Sequence, residues 1–277
     1  MQSGYLENLF GLSGKVAVIT GAAGALCSAI ARGFSAAGTT VALLDVAAGK
    51  VEQLAQAIRS EGGVARPYTC NVLEKASLQK VAESVLADYG RVDVLVNGVG
   101  GNRPEATTGP ELSFFDLPEG AIRSLFELNF LSAFLCCQAF GRAMAKAGRG
   151  AVINIISINA YRPLTRIPAY AAAKAALANF TQWLAVHVAH EYSKGIRVNG
   201  IAPGFFLTDQ NRFLLLEEGT GELTPRGKSI LSHTPAGRFG EPQDLVGAAL
   251  WLASEAAAFV TGAVIPVDGG FHAYAGV

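Results

Sequence analysis

Short apolar runs rich in β-branched residues recur along this chain, each followed by a stretch with helical periodicity, and no other feature constrains the fold as much. Residues 15–20, 40–44, 64–69, 92–96, 151–156 and 196–201 read as strands; residues 25–37, 47–60, 74–89, 121–146 and 168–192 read as helices. Strands separated by whole helices cannot pair as hairpins, so they imply right-handed crossovers and a parallel sheet. The expectation is an α/β chain with one doubly wound domain over residues 1–277 and a parallel sheet of about seven strands, flanked by helices on both faces.

Composition supports a large core, since 51% of the 277 residues are apolar and 16% are charged. Formal charge is zero, so no sequence-wide basic field recruits nucleic acid or an anionic membrane. Neither is expected as a partner. The cysteines Cys27, Cys70, Cys136 and Cys137 lack paired metal-ligand spacing, and a chain of this length needs no disulfide framework, which points to the reducing cytoplasm. No basic leader with a long apolar core opens the sequence, and no apolar run approaches a membrane span. His187 and His190 lie three apart on a predicted helix, but no further ligand spacing completes a metal site and none is expected.

Two connections are long: residues 100–119 and residues 203–234. Both begin where a strand reaches its carboxyl end, the edge at which open parallel sheets bind ligands. They are read as substrate walls, with ordinary surface insertion as the alternative.

The first turn has the chemistry of a phosphate site. Gly21 and Gly24 let backbone approach a pyrophosphate, and the helix that follows offers unpaired N–H groups and a positive dipole end. Asp45, ending the second strand, can accept hydrogen bonds from ribose hydroxyls and would repel a 2′-phosphate, which favours NAD over NADP. Its alternative role is a helix N-cap. Ser157 ends an apolar strand, and Tyr170 and Lys174 sit four apart, on one face of the next helix. A phenol with pKa about 10 is a poor acid or base at neutral pH, but a neighbouring ammonium lowers that value, so the pair reads as a tuned proton donor or acceptor.

Taken together, Thr20-Gly21-Ala22-Ala23-Gly24, Asn97-Gly98-Val99-Gly100, Asn129, Ser157, Tyr170, Lys174 and Pro203-Gly204 resemble the short-chain dehydrogenase/reductase family, over about residues 12–270. The resemblance implies a Rossmann-type fold, an NAD-dependent oxidoreductase acting on CH–OH groups, and a homotetramer. Tyr170 would be the acid/base, and Ser157 would steady the substrate oxygen. Lys174 would lower the tyrosine pKa and bond the nicotinamide ribose, and Asn129 would hold a water in the proton relay. Gly21, Ala23, Gly24, Ala25, Leu26 and Asp45 would meet the cofactor from the first half, with Asn71 and Val72 near adenine and Asn97, Gly98 and Val99 beside them. Tyr170, Lys174, Pro203, Gly204, Phe206 and Thr208 would complete the nicotinamide end. The sequence departs from the family in three places: Ala25 and Cys27 stand for glycines, Asn71 for an aspartate, and Gly98-Val99 for the commoner Asn-Ala.

Further runs, at 159–165, 202–206 with Asn211-Arg212, and 267–274, are similar to the D-mannonate oxidoreductase (fructuronate reductase) branch of that family. This implies interconversion of D-fructuronate and D-mannonate. Arg103, Arg162 and Arg212 could bind a sugar-acid carboxylate, and Asn102, Asn159 and Asn211 its hydroxyls; each could instead form a surface ion pair or fix a loop. Dehydrogenases of gluconate, deoxy-sugar acids or neutral polyols are the alternative, and a non-catalytic cofactor-binding protein is a more distant one.

Overall fold

The computed structural model describes residues 4–208 and 211–276, so positions 209–210 of the second long connection lie outside the description. Strands β1 (Val16–Thr20), β2 (Thr40–Asp45), β3 (Ala65–Thr69), β4 (Val94–Asn97), β5 (Gly150–Ile155), β6 (Ile196–Pro203) and β7 (Val264–Val267) form one sheet in the order β3-β2-β1-β4-β5-β6-β7. Every pairing is parallel, with Ile19 opposite Leu43 on one side and Val96 on the other. The order reverses between β1 and β4, which opens a crevice at their carboxyl ends. β7 was not marked by an apolar run because it is a short, half-buried edge strand containing Pro266, tolerated there because an edge N–H need not pair.

The helices are α1 (Tyr5–Phe10), α2 (Ala25–Ala36), α3 (Ala48–Ser60), α4 (Lys75–Tyr89), α5 (Glu119–Phe126), α6 (Ser132–Ala147), α7 (Pro168–Glu191), α8 (Arg212–Leu215), α9 (Pro225–Ser232) and α10 (Val246–Ala253). Side chains alternate across a strand, and here both faces are apolar. Ala17, Ile19, Leu43 and Val96 pack under α2, α3 and α10, whereas Val18, Leu44, Leu95 and Val152 pack against α4, α6 and α7. Each fully buried Val, Leu or Ile contributes roughly 1.5–3 kcal/mol, so the central strands anchor both layers.

The helix expected over 121–146 is not uniform. A wider π turn, Glu127–Leu131, separates α5 from α6. Its centre is the fully buried Asn129, whose Nδ2 donates to Leu125 O at 3.0 Å and to Gly101 O at 2.9 Å. A polar side chain inserted into the helical ladder is a known cause of such a bulge. The run Glu119–Ala147 is also long and apolar enough, by length and composition, to cross a membrane, which the sequence reading did not anticipate. One face of it is spent on the core through Leu125, Cys136, Phe140 and Met144.

The first βα unit depends on a close helix contact, since a Cβ on Gly33 of α2 would collide with Val246 of α10. Gly33→Ala is therefore expected to destabilise the protein by about 1–3 kcal/mol in chemical denaturation, and Val246→Ala in the same chain to recover part of the loss.

Candidate active site

The turn after β1 is built by backbone. Gly21 has φ +64°, and a Cβ there would lie 3.0 Å from the carbonyl carbon and oxygen of Gly98 and from Val99 N. Ala23 N donates to Asp45 Oδ2 at 3.0 Å, and Ala47 N donates to Asp45 Oδ1 at 2.9 Å. Asp45 thus ties the turn to the end of β2 and still has lone pairs for hydroxyl donors. Gly24 caps α2 without a side chain, so the first N–H groups of that helix, in Ala25 and Leu26, face the crevice as an anion site. A dinucleotide fits this cradle.

Two of the family departures are one feature. A Cβ on Gly98 would collide with the Cys27 sulfur and sit 2.8 Å from Thr20 O. Cys27 fills the volume that a larger residue at 98 would need, and the glycine at 98 makes room for a cysteine where the family has glycine. Burial pushes the Cys27 thiol up to about 12, so it is a packing group and not a nucleophile. Thr20 Oγ1, which sequence reasoning passed over, accepts from Gly98 N at 3.1 Å and holds this junction.

The same segment forms the catalytic wall. A Cβ on Gly100 would lie 2.7 Å from Asn129 Oδ1 and 2.9 Å from Lys174 Nζ. Asn129 Oδ1 also accepts from Gly101 N at 2.9 Å, so with both Nδ2 protons spent its side chain pegs the loop. Lys174, buried on α7, donates to Ile155 O at 2.9 Å, and its Nζ lies 5.8 Å from the Tyr170 ring centroid. Desolvation lowers the Lys174 pKa to about 8. The expectation that the ammonium depresses Tyr170 needs correction: burial pushes the phenol up, and it is a hydrogen bond from Ser157 that pulls it back. Ser157 is buried at the end of β5 and caps the turn Ile158–Ala160.

Behind these groups runs a buried polar chain. Thr181 Oγ1 gives its proton to Leu177 O at 2.8 Å, so it must accept from Asn154 Nδ2, also at 2.8 Å; Asn154 Oδ1 then accepts from Asn97 Nδ2 at 2.8 Å. The chain fixes β4, β5 and α7 relative to one another.

The remaining expected residues are placed as follows. Val72 is buried, and Val99 packs against the core. The Asn71 amide, expected to face adenine, is engaged locally with Leu73 N and Glu74. Gly204 lies so close to Asp268 that a Cβ would sit 2.6 Å from its Cβ, which locks Pro203 and Gly204 to the C-terminal segment. Phe206 is buried, and Asn211 is spent as a clasp, its Nδ2 donating to Phe206 O at 2.7 Å and its Oδ1 accepting from Thr208 N at 2.8 Å. Asn102 donates to Thr107 Oγ1 at 2.8 Å, and Asn159 points inward. Arg103, Arg162 and Arg212 are exposed, with Arg162 donating to Tyr274 O at 2.9 Å.

The first long connection is tied to the segment between β5 and α7, with Thr108 N donating to Arg166 O at 2.9 Å. A third wall was legible only through the resemblance. Residues 268–274 fold beside Tyr161 and Phe205, with His272 on Asp268 at 2.7 Å and its ring 5.9 Å from that of Tyr161. A cavity of about 860 Å³ lies elsewhere, between α4, α6 and α7, and has none of these groups in its lining.

A family model described as "Enoyl-(Acyl carrier protein) reductase" matches residues 21–272. An uncharacterized oxidoreductase of Bacillus subtilis, UxuB, is 48% identical, over 96% of this chain and 98% of its own. The crystal structure of a candidate D-mannonate oxidoreductase from Haemophilus influenzae with bound NAD superposes with a TM-score of 0.90 at 45% identity, covering 96% of this chain and 98% of that one. The D-threitol dehydrogenase of Mycolicibacterium smegmatis is 37% identical, over 95% of this chain and 94% of its own.

Two outcomes follow from the geometry. Gly98→Asn should weaken NADH binding, read by fluorescence titration, and Cys27→Gly in the same chain should restore part of it, the approach to Thr20 O remaining. Lys174 loses its proton near pH 8 when folded but only near 10.5 otherwise, so the unfolded chain binds more protons between these values and stability rises with pH there. Unfolding free energies of the wild type relative to Lys174→Met should accordingly move in favour of the wild type from pH 8 to 10.

Proposed function

The chain belongs to the short-chain dehydrogenase/reductase family, as an NAD(P)-dependent oxidoreductase of CH–OH groups on sugar-acid or polyol substrates, and we propose that its reaction is the NAD(H)-linked interconversion of D-fructuronate and D-mannonate. The observation that carries the chemistry is the meeting of the Ser157 hydroxyl, the Tyr170 phenol and the Lys174 ammonium beyond the end of β5. The nicotinamide, when bound, supplies or accepts the hydride. In reduction Tyr170 gives its proton to the carbonyl oxygen as that oxygen gains charge, and Ser157 donates a hydrogen bond to the same atom. Lys174, anchored to the Ile155 carbonyl with its Nζ 5.8 Å from the phenol ring, would bond the ribose of the bound nicotinamide. In oxidation the phenolate takes the hydroxyl proton, and the roles reverse.

A sugar acid is supported by the exposed guanidinium groups of Arg103 on the first long connection, of Arg162 between β5 and α7 and of Arg212 at the start of α8, since a guanidinium matches a carboxylate in bidentate geometry. The likeness to the Haemophilus protein supports mannonate in particular. NAD over NADP is supported by Asp45, whose carboxylate would repel a 2′-phosphate where it could accept ribose hydroxyls. The likeness to D-threitol dehydrogenase favours a second reading, a neutral polyol. We further propose a homotetramer, for which the exposed Leu131, Trp183 and Val186 on the α6 and α7 side offer apolar surface. The buried, unpaired thiols fit a cytoplasmic setting.

A panel of uronates, aldonates, polyols and their ketones, assayed with both nicotinamides, tests the substrate. D-fructuronate with NADH should be the fastest pair; a faster NADPH reaction would overturn the reading of Asp45, and a faster neutral ketose that of the substrate. Tyr170→Phe should lower kcat by about 10²–10⁴. Replacing the arginine that meets the carboxylate should raise KM for the uronate far more than for a neutral ketose.

A further inference from the structure

We propose that Asn159 is a positioning residue that fixes the direction of the Ser157 hydroxyl. Asn159 lies on the turn Ile158–Ala160 directly after Ser157 and is buried. Its Oδ1 accepts from Leu164 N at 3.1 Å. A peptide N–H can only donate, so that contact settles which end of the amide is oxygen, and Nδ2 must face the other way. Nδ2 lies 3.1 Å from Ser157 Oγ, and the Asn159 backbone N–H lies 3.2 Å from the same atom.

A serine hydroxyl has two lone pairs and one proton. Both lone pairs of Ser157 are taken by Asn159, so the hydroxyl can act outward only as a donor. Its proton then points to Tyr170 or to a substrate oxygen. Were a lone pair free, the Tyr170 phenol could give its own proton to Ser157 and hold it away from the substrate. The sequence reading offered Asn159 as a ligand for substrate hydroxyls; the amide is committed to Ser157 and Leu164, and its effect on substrate passes through the serine.

This inference rests on the roles proposed above for Tyr170 and Ser157, and the test separates the two. Asn159→Asp keeps the size and the acceptor for Leu164 N but replaces the Nδ2 donor by an acceptor, which turns the Ser157 proton inward. With the ketone of the panel that is reduced fastest, kcat is measured for Asn159→Asp, Asn159→Ala, Ser157→Ala and each Asn159 variant combined with Ser157→Ala, and NADH affinity is measured for all. Asn159→Asp should lower kcat by about 10², the usual loss for one oriented donor, and raise the ionisation in the pH profile that Tyr170→Phe abolishes, with NADH affinity unchanged. In the Ser157→Ala background the same change should lower kcat by less than about 3-fold, because the hydroxyl it reorients is gone.

Asn159→Ala leaves one lone pair open and should fall between wild type and Asn159→Asp; it runs the same cycle if the aspartate variant does not fold. An equal loss with and without Ser157, or no loss, would overturn the proposal. Full activity in Tyr170→Phe would instead overturn the catalytic reading beneath it.

Discussion

Gly98 and Gly100, on either side of Val99, are bare backbone pressed between two functions, and the rest of the site is arranged around that constraint. On one side they meet Gly21 and Cys27 of the nucleotide turn; on the other they meet Asn129 and Lys174. Any side chain at 98 or 100 would reach an occupied atom. The same few residues that shape the phosphate cradle therefore set the position of the acid/base group. A displacement of about 1 Å in such a wall is enough to alter turnover strongly.

Holding that segment requires buried polar groups, and each is satisfied by a partner on a different element. Lys174 reaches from α7 to the last carbonyl of β5, Asn129 from the π turn to both sides of the Gly101 backbone, and Thr20 from β1 to Gly98. Unpaired, such groups would cost several kcal/mol each; paired, they define one arrangement of strands and helices. The Asn97–Asn154–Thr181 chain carries such contacts into the sheet, its hydrogen-bond direction set by the α7 backbone at Leu177, and it leaves the buried Asn97 Oδ1 without a partner. Ser157 is governed in the same manner by Asn159 and, through it, by the Leu164 amide.

The alternation of apolar runs and helices was sufficient for the doubly wound parallel sheet, because central strands buried on both faces leave a plain signature. β7 escaped notice because an edge strand with a proline has little of that signature. The π turn was hidden because its cause, one buried asparagine, looks like any other helical polar residue until its partners at Gly101 and Leu125 are known. At the site, Ser157, Tyr170 and Lys174 were legible from spacing and from the family resemblance. Their electrostatics were not: the rise of the Tyr170 pKa comes from burial, which no spacing reveals. The pairing of Cys27 with Gly98 was visible only as two separate departures, since their contact spans residues far apart in the chain. Asn159 and Asn211 could be named as polar groups near the site, but their partners depend on loop paths that sequence does not specify.

The central claim, that the backbone of Gly98 and Gly100 couples the cofactor cradle to the proton donor, is tested most directly by single-turnover hydride transfer in Gly100→Ala. The added methyl would press on Asn129 Oδ1 and Lys174 Nζ without touching the nucleotide turn. The account predicts that the transfer step, followed by loss of NADH absorbance, slows by about 10² while NADH still binds. Hydride transfer at the wild-type rate in that variant would contradict it.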